Sequence, residues 1–236
     1  MKKLIKLQLR NLFYSKLFYI CLGITTIMNI LLFIFELQFP EGHTLLMPKI
    51  VSLLSGGLDM ILIIFVALFS SDDFNESTAK NIIGRGYSRK ELLLSKYIVS
   101  IIGVFAINFA MVLLSLILYI WYGFGYESGM ILIILISLFA ILAETIFYGS
   151  ISFVLEKHST SILACLFGPS IISVIINIIE SKINIDISNY WVNNLYDYYV
   201  YNPNTTNLFI SIIGYIIYIV IFISATMEIT KNKEIK

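Results

Sequence analysis

Six apolar runs, each near the length a helix needs to cross a bilayer, constrain this chain more than any other feature. They are Leu17 to Phe35, Ile50 to Ser70, Tyr97 to Tyr122, Met130 to Leu155, Ser159 to Ile179 and Leu208 to Met227. A helix rises about 1.5 Å per residue, so roughly 20 apolar residues span the hydrocarbon core. Lipid offers no water to backbone N–H and C=O groups. Only helices and closed barrels satisfy them, and barrel strands would be shorter and alternating. Charged residues make up 13% of the chain, against about 25% in soluble domains. The expectation is an all-α, polytopic membrane protein with six transmembrane helices, folded as a single domain over 1–236.

Charge orients the runs. With both termini inside, the inner side holds Lys2, Lys3, Lys6, Arg10, Lys16, Lys80, Arg85, Arg89, Lys90, Lys96, Lys157, Lys231, Lys233 and Lys236. The outer side holds Lys49 and Lys182. The positive-inside rule therefore predicts cytoplasmic termini. The run at Leu17 is too long for a signal-peptide core and lacks a small-x-small cleavage site, so it reads as a retained first span. A net charge of +1 gives no reason to expect nucleic acid. Cys21 and Cys165 lie in apolar runs without ligand spacing and read as small buried hydrophobes.

Two flanking segments carry further pattern. In residues 1–16, Lys3, Lys6 and Arg10 share one helical face and Ile5, Leu9 and Leu12 another. That is the pattern of an interfacial helix in the headgroup layer. Before the last run the chain carries Tyr190, Trp191, Tyr196, Tyr198, Tyr199 and Tyr201. Trp191, Leu195 and Tyr198 have helical spacing, which predicts one short helix anchored at the outer interface.

The remaining polar segment is an island from Ser70 to Glu91 between the second and third runs. Ser70 with Asp73 reads as a capping box, as does Ser88 with Glu91. Asp72 and Asp73 suit a helix N-terminus, and Glu76 with Lys80 makes an i, i+4 pair. Phe74, Thr78 and Ile82 line one face, and Gly84 and Gly86 are stop signals. The local reading is a short helix over 72–86, a glycine break, and a fresh start into the third span.

The island resembles the loop of permease subunits of ATP-binding-cassette exporters of the second exporter type. Those permeases carry an acidic residue, Gly-Thr or Ser-Thr, then Lys, and later Gly-x-Ser-Arg. Here the matching residues are Glu76, Ser77-Thr78, Lys80 and Gly86-Tyr87-Ser88-Arg89, followed by Ser95-Lys96. The resemblance covers about twenty residues in motif and the whole chain in layout. It implies that two permease protomers, identical or related, pair in the bacterial cell membrane. Each would dock a cytoplasmic ATP-binding subunit that supplies ATP and Mg. By resemblance, Phe74, Glu76, Thr78, Lys80 and Ile83 make the coupling contact, and Gly84, Gly86, Ser88 and Arg89 shape the turn. The family assigns the permease no catalytic residue. Gly84-Arg-Gly-Tyr-Ser-Arg-Lys lacks phosphate-loop spacing, so ATP hydrolysis belongs to another chain. Small permeases of this group often serve antimicrobial or toxin peptides, in export or self-protection. An Ile-, Lys- and Asn-rich composition fits an AT-rich bacterial genome and this cargo class.

Three residues interrupt the spans. Asp59 and Glu144 are acids within apolar runs, and a charge at the bilayer centre costs about 3 kcal/mol on insertion scales. They line a polar path or bond between helices. Pro169 is expected to break or kink the fifth span. Two rivals to the exporter use Asp59 and Glu144: an ATP-independent intramembrane enzyme and an accessory membrane protein or channel. No His, Ser or Cys constellation accompanies the acids. His43 and His158 fall in loops, and apart from Asn29, Asn108 and scattered Ser and Thr the spans are too apolar for an obvious pore.

Overall fold

A computed structural model describes residues 1–38, 59–75, 78–121, 130–183 and 186–231, and among these there is no strand. The helices are α1 (Lys2–Tyr14), α2 (Lys16–Gln38), α3 (Asp59–Asn75), α4 (Thr78–Gly84), α5 (Arg89–Trp121), α6 (Met130–Leu155), α7 (His158–Ile183), α8 (Leu195–Tyr201) and α9 (Thr205–Lys231). A 3-10 turn at Ser188–Tyr190 precedes α8. Four helices (α5, α6, α7 and α9) are long and apolar enough to cross a membrane. The number becomes five if α1 and α2, bent by 56° at Ser15, are taken as one broken span. The chain is thus a membrane-embedded helical protein. Of the expected second span, 50–58 lie outside the described residues, and α3 carries the helix on past Ser70 to Asn75.

The long helix α6 is the hub, packed by α3, α5, α7 and α9. Lipid tails are as apolar as leucine, so close packing rather than water expulsion joins helices in a membrane. Ala140 and Ala143 of α6 are buried and let the neighbouring helices approach. At Gly103 of α5 an added Cβ would lie 2.8 Å from Phe65 Cζ and 3.1 Å from Leu12 Cδ1. That glycine is where α1, α3 and α5 converge. The outer helices expose their apolar faces, as the lipid setting requires. In their most apolar stretches α5 and α6 bury 44% of residues, α7 and α9 only 11%.

Pro169 is buried inside α7, which runs unbroken from His158 to Ile183. The expected break is absent. In lipid, neighbouring helices re-satisfy a carbonyl freed by proline. The turn between α6 and α7 is tight, with Glu156 in the left-handed region at φ 66°.

Candidate functional site

Both ends of the described chain meet the α3–α5 connection at one end of the bundle. The Met1 nitrogen lies 3.5 Å from Glu91 Oε1, and the Arg89 guanidinium donates to the Thr230 carbonyl at 2.9 Å. The α6–α7 turn joins them through His158. Its Nδ1 is 2.8 Å from Ser71 Oγ, and its Nε2 is 3.7 Å from Asp72 Oδ1. Ser71 Oγ already donates to the Ala67 carbonyl at 2.6 Å. With that proton engaged, Ser71 Oγ accepts from the His158 Nδ1–H, and Nε2 of the ring faces the Asp72 carboxylate.

Beneath this surface sits a buried ion pair. Lys96 Nζ of α5 lies 3.2 Å from Asp73 Oδ2 of α3, with side chains only 3% and 5% exposed. Lys96 also donates to the Phe69 carbonyl at 2.9 Å and stands 4.3 Å from the centroid of the Phe69 ring. Gln8 of α1 donates its amide to the same Asp73 oxygen at 2.6 Å. One carboxylate thus clamps α1, α3 and α5, and two charge-assisted bonds offset the desolvation of both ions. The next residue of α5, Tyr97, makes a separate interhelix link, 2.6 Å from Ser150 Oγ of α6 and donating to Thr226 of α9 at 3.3 Å.

The short helix α4 is held on this platform. Ala79 and Ile82 are buried against Leu4, Leu92, Leu93, Tyr97, Ile146 and Phe153. Lys80, Asn81, Gly84, Arg85 and Gly86 are exposed. Gly86 closes the turn at φ +90°, donating to the Ile83 carbonyl at 2.9 Å, a conformation that favours glycine. Gly84 remains helical. The next helix opens on the expected capping box: Ser88 N–H donates to Glu91 Oε2 at 3.0 Å, and Glu91 N–H donates to Ser88 Oγ at 3.2 Å.

The other expected capping box is corrected. Ser70 and Asp73 lie inside the continuous helix α3, and Asp73 faces Lys96 rather than a helix start. Of the residues assigned to the coupling contact, Phe74 packs edge-on against Phe153 at 4.8 Å and Arg89 reaches α9. Thr78 and Ile83 are half-buried, Lys80 is exposed, and Glu76 lies outside the described residues. Sequence pattern does not single out Gln8, and it marks Asp73 only as a local cap. The local hint at Gln8 is a polar residue in register with Leu4 and Leu12.

The intramembrane acids occupy separate places. Glu144, half-buried, lines a crevice with Thr145 and Tyr148 of α6 and with Leu62, Ile63 and Val66 of α3. The crevice has room for about 20 Å³, the size of a single water. Asp59 opens α3. Among the described residues no His, Cys, Asp and Glu group is placed to hold a metal ion.

The aromatic segment folds against the bundle. Helix α8 starts at Leu195, so the expected helix through Trp191 is corrected: Trp191 precedes it. The Trp191 ring meets Phe147 at 5.9 Å and Tyr218 at 6.0 Å, and the buried face of α8 is Leu195, Tyr196 and Tyr199. Tyr190 and Tyr198 pack on each other at 5.5 Å. No protein-family model matches the chain, and neither a curated protein nor a solved structure matches it.

Proposed function

We propose that this chain is the membrane subunit of an ATP-driven exporter, and that α4 with its following turn is the seat for a separate ATP-binding subunit. The observation that carries the reading is the two-sided placement of α4. Its apolar side is fixed to α1, α5 and α6, while Lys80, Asn81 and Arg85 point away from the bundle. A short helix held at both ends by long apolar helices passes an applied displacement to both. The buried Asp73–Lys96 pair stiffens the joint through which that displacement would run. The motif resemblance at Thr78, Lys80 and Gly86 to Arg89 supports the same assignment.

On this reading the loop end is cytoplasmic, in line with its basic residues. The chain sits in a bacterial cell membrane beside a second protomer. ATP and Mg belong to the partner subunit. The cargo is hydrophobic or amphipathic, with an antimicrobial or toxin peptide the favoured class. The test is co-purification of the tagged chain in mild detergent, comparing wild type with Lys80→Glu plus Arg85→Glu. Both substitutions leave the buried face intact. Recovery of an ATP-binding polypeptide with the wild type and its loss with the variant supports the reading. Absence of any such polypeptide across several detergents and membrane digests overturns it.

A further inference from the structure

His158, the first residue of α7, ties the α6–α7 turn to the last turns of α3. Its ring is fixed from one side. Ser71 is fully buried, and its Oγ is spent as a donor on the Ala67 carbonyl, so towards the ring it accepts. The proton of a neutral ring therefore sits on Nδ1, because the bond made by one ring nitrogen decides the state of the other. Nε2 then carries a lone pair, and 3.7 Å away it meets Asp72 Oδ1. Two acceptors face each other across a gap too wide for a hydrogen bond. A proton on Nε2 turns that opposition into an ion pair. Contraction to a charge-assisted distance takes a movement of about 1 Å, open to an Asp72 side chain that is 47% exposed.

We propose that His158 and Asp72 form a proton-operated latch, in which a proton on Nε2 locks the α6–α7 turn to α3 and its loss releases the turn. Histidine is the side chain that changes charge between about pH 5 and 8. The contribution of the latch is present where the ring is charged and is lost as pH rises through the ring's titration. The other charged groups at this end of α7 are accounted for on each side. From α3, Asp73 is engaged by Lys96. From the α6–α7 turn come Glu156, half-buried, and Lys157, exposed. The 3-10 turn meets the far end of α7, at Glu180. A divalent cation bridging Nε2 and Oδ1 is the rival occupant, but among the described residues no His, Cys, Asp and Glu group completes a metal site. The latch acts on the part of α3 that holds Asp73 and ends at Asn75, just before α4 starts at Thr78. The inference rests on the packing of α3 and α7 and stands apart from the exporter reading.

The test is hydrogen exchange of the full chain in phosphatidylcholine nanodiscs at about pH 5.5 and about pH 8, corrected for the intrinsic pH dependence of exchange. An ion pair this exposed shifts a local opening equilibrium by about two- to fivefold. Amides of Ser70–Asn75 and Ser161–Ala164 should therefore be about threefold better protected in acid. His158→Gln and Asp72→Asn should each abolish the difference, and the double variant should lose nothing more. Glu156→Gln should keep it. Unchanged exchange in α5 shows that the variants remain folded. Equal corrected protection at the two pH values, or a difference that survives either latch substitution, overturns the proposal. A difference that needs added zinc and disappears on chelation overturns it in favour of a metal. Nitrogen-15 spectra of the ring give an independent reading: a neutral ring protonated on Nε2 at alkaline pH also overturns it.

Discussion

Lys96→Met removes one half of the buried ion pair while keeping most of the side-chain stem. Asp73 is then left 5% exposed with the Gln8 amide as its remaining donor, since the 3.2 Å contact to Lys96 is gone. Breaking a buried pair on one side costs about 3–5 kcal/mol, because the other charge stays behind uncompensated. Asp73→Asn keeps the shape but strands the Lys96 ammonium on the Phe69 carbonyl and ring, and a cost of the same order is expected. The double variant removes both charges, and the carboxamide introduced at position 73 can still accept from Gln8. It should recover most of the loss, giving a coupling energy of about 2 kcal/mol or more. Equilibrium unfolding in mixed micelles, with the four proteins measured side by side, reads these values. Single variants costing under about 1 kcal/mol, or fully additive losses, would refute the clamp and place the pair among inconsequential surface contacts.

Gly103→Ala should destabilise by about 1–3 kcal/mol through overpacking, since its Cβ would lie 2.8 Å from a ring carbon of the fully buried Phe65; Gly103→Ala with Phe65→Leu should restore part of that loss in thermal unfolding. Ser88→Ala removes the cap of α5 and should cost about 1 kcal/mol, with faster amide exchange confined to Arg89–Glu91. Asp197 of α8 has its carboxyl raised above 3.8 by desolvation. The folded state therefore binds this proton more tightly than the unfolded chain. Its stabilising contribution is present below 3.8 and is lost as pH rises through the folded value. Because the Asp197 side chain is exposed, solvent screens most of this effect; Asp197→Asn should raise the melting temperature at neutral pH only slightly and flatten the acid side of the stability profile, and a clearly lowered melting temperature at neutral pH would contradict this.

What the sequence revealed was what short-range pattern encodes. The start of α5 was legible because Ser88 and Glu91 satisfy each other's backbone across one turn, independent of the rest of the fold. The apolar character of α5, α6, α7 and α9 was legible because lipid imposes one length and one composition. The Ser70–Asp73 pair has the same local grammar and misled, because Asp73 meets Lys96, 23 residues away, and the helix continues through it. The register of Gln8 with Leu4 and Leu12 hints at a buried polar side chain, but its partner, 65 residues away, leaves no trace in the sequence. Helical spacing from Trp191 to Tyr198 also misled. Trp191 is used as a wedge between α6 and α9, and the helix begins only at Leu195. At the island, the sequence marked a short helix ahead of α5 but neither its bounds, since 72–75 belong to α3, nor its orientation. Burial turns Phe74 and Arg89 inward and leaves Lys80, Asn81 and Arg85 outward.

Whether α4 is gripped by an ATP-binding subunit is tested most directly by a photo-crosslinker in place of exposed Asn81, used in intact cells. One dominant adduct with a nucleotide-binding polypeptide is expected, lost when Lys80 and Arg85 are both changed to Glu. The same crosslinker placed at exposed Tyr201, at the far end of the bundle, should give no such adduct. An Asn81 adduct pattern identical to that from Tyr201, or one confined to lipid, would contradict the coupling role of α4.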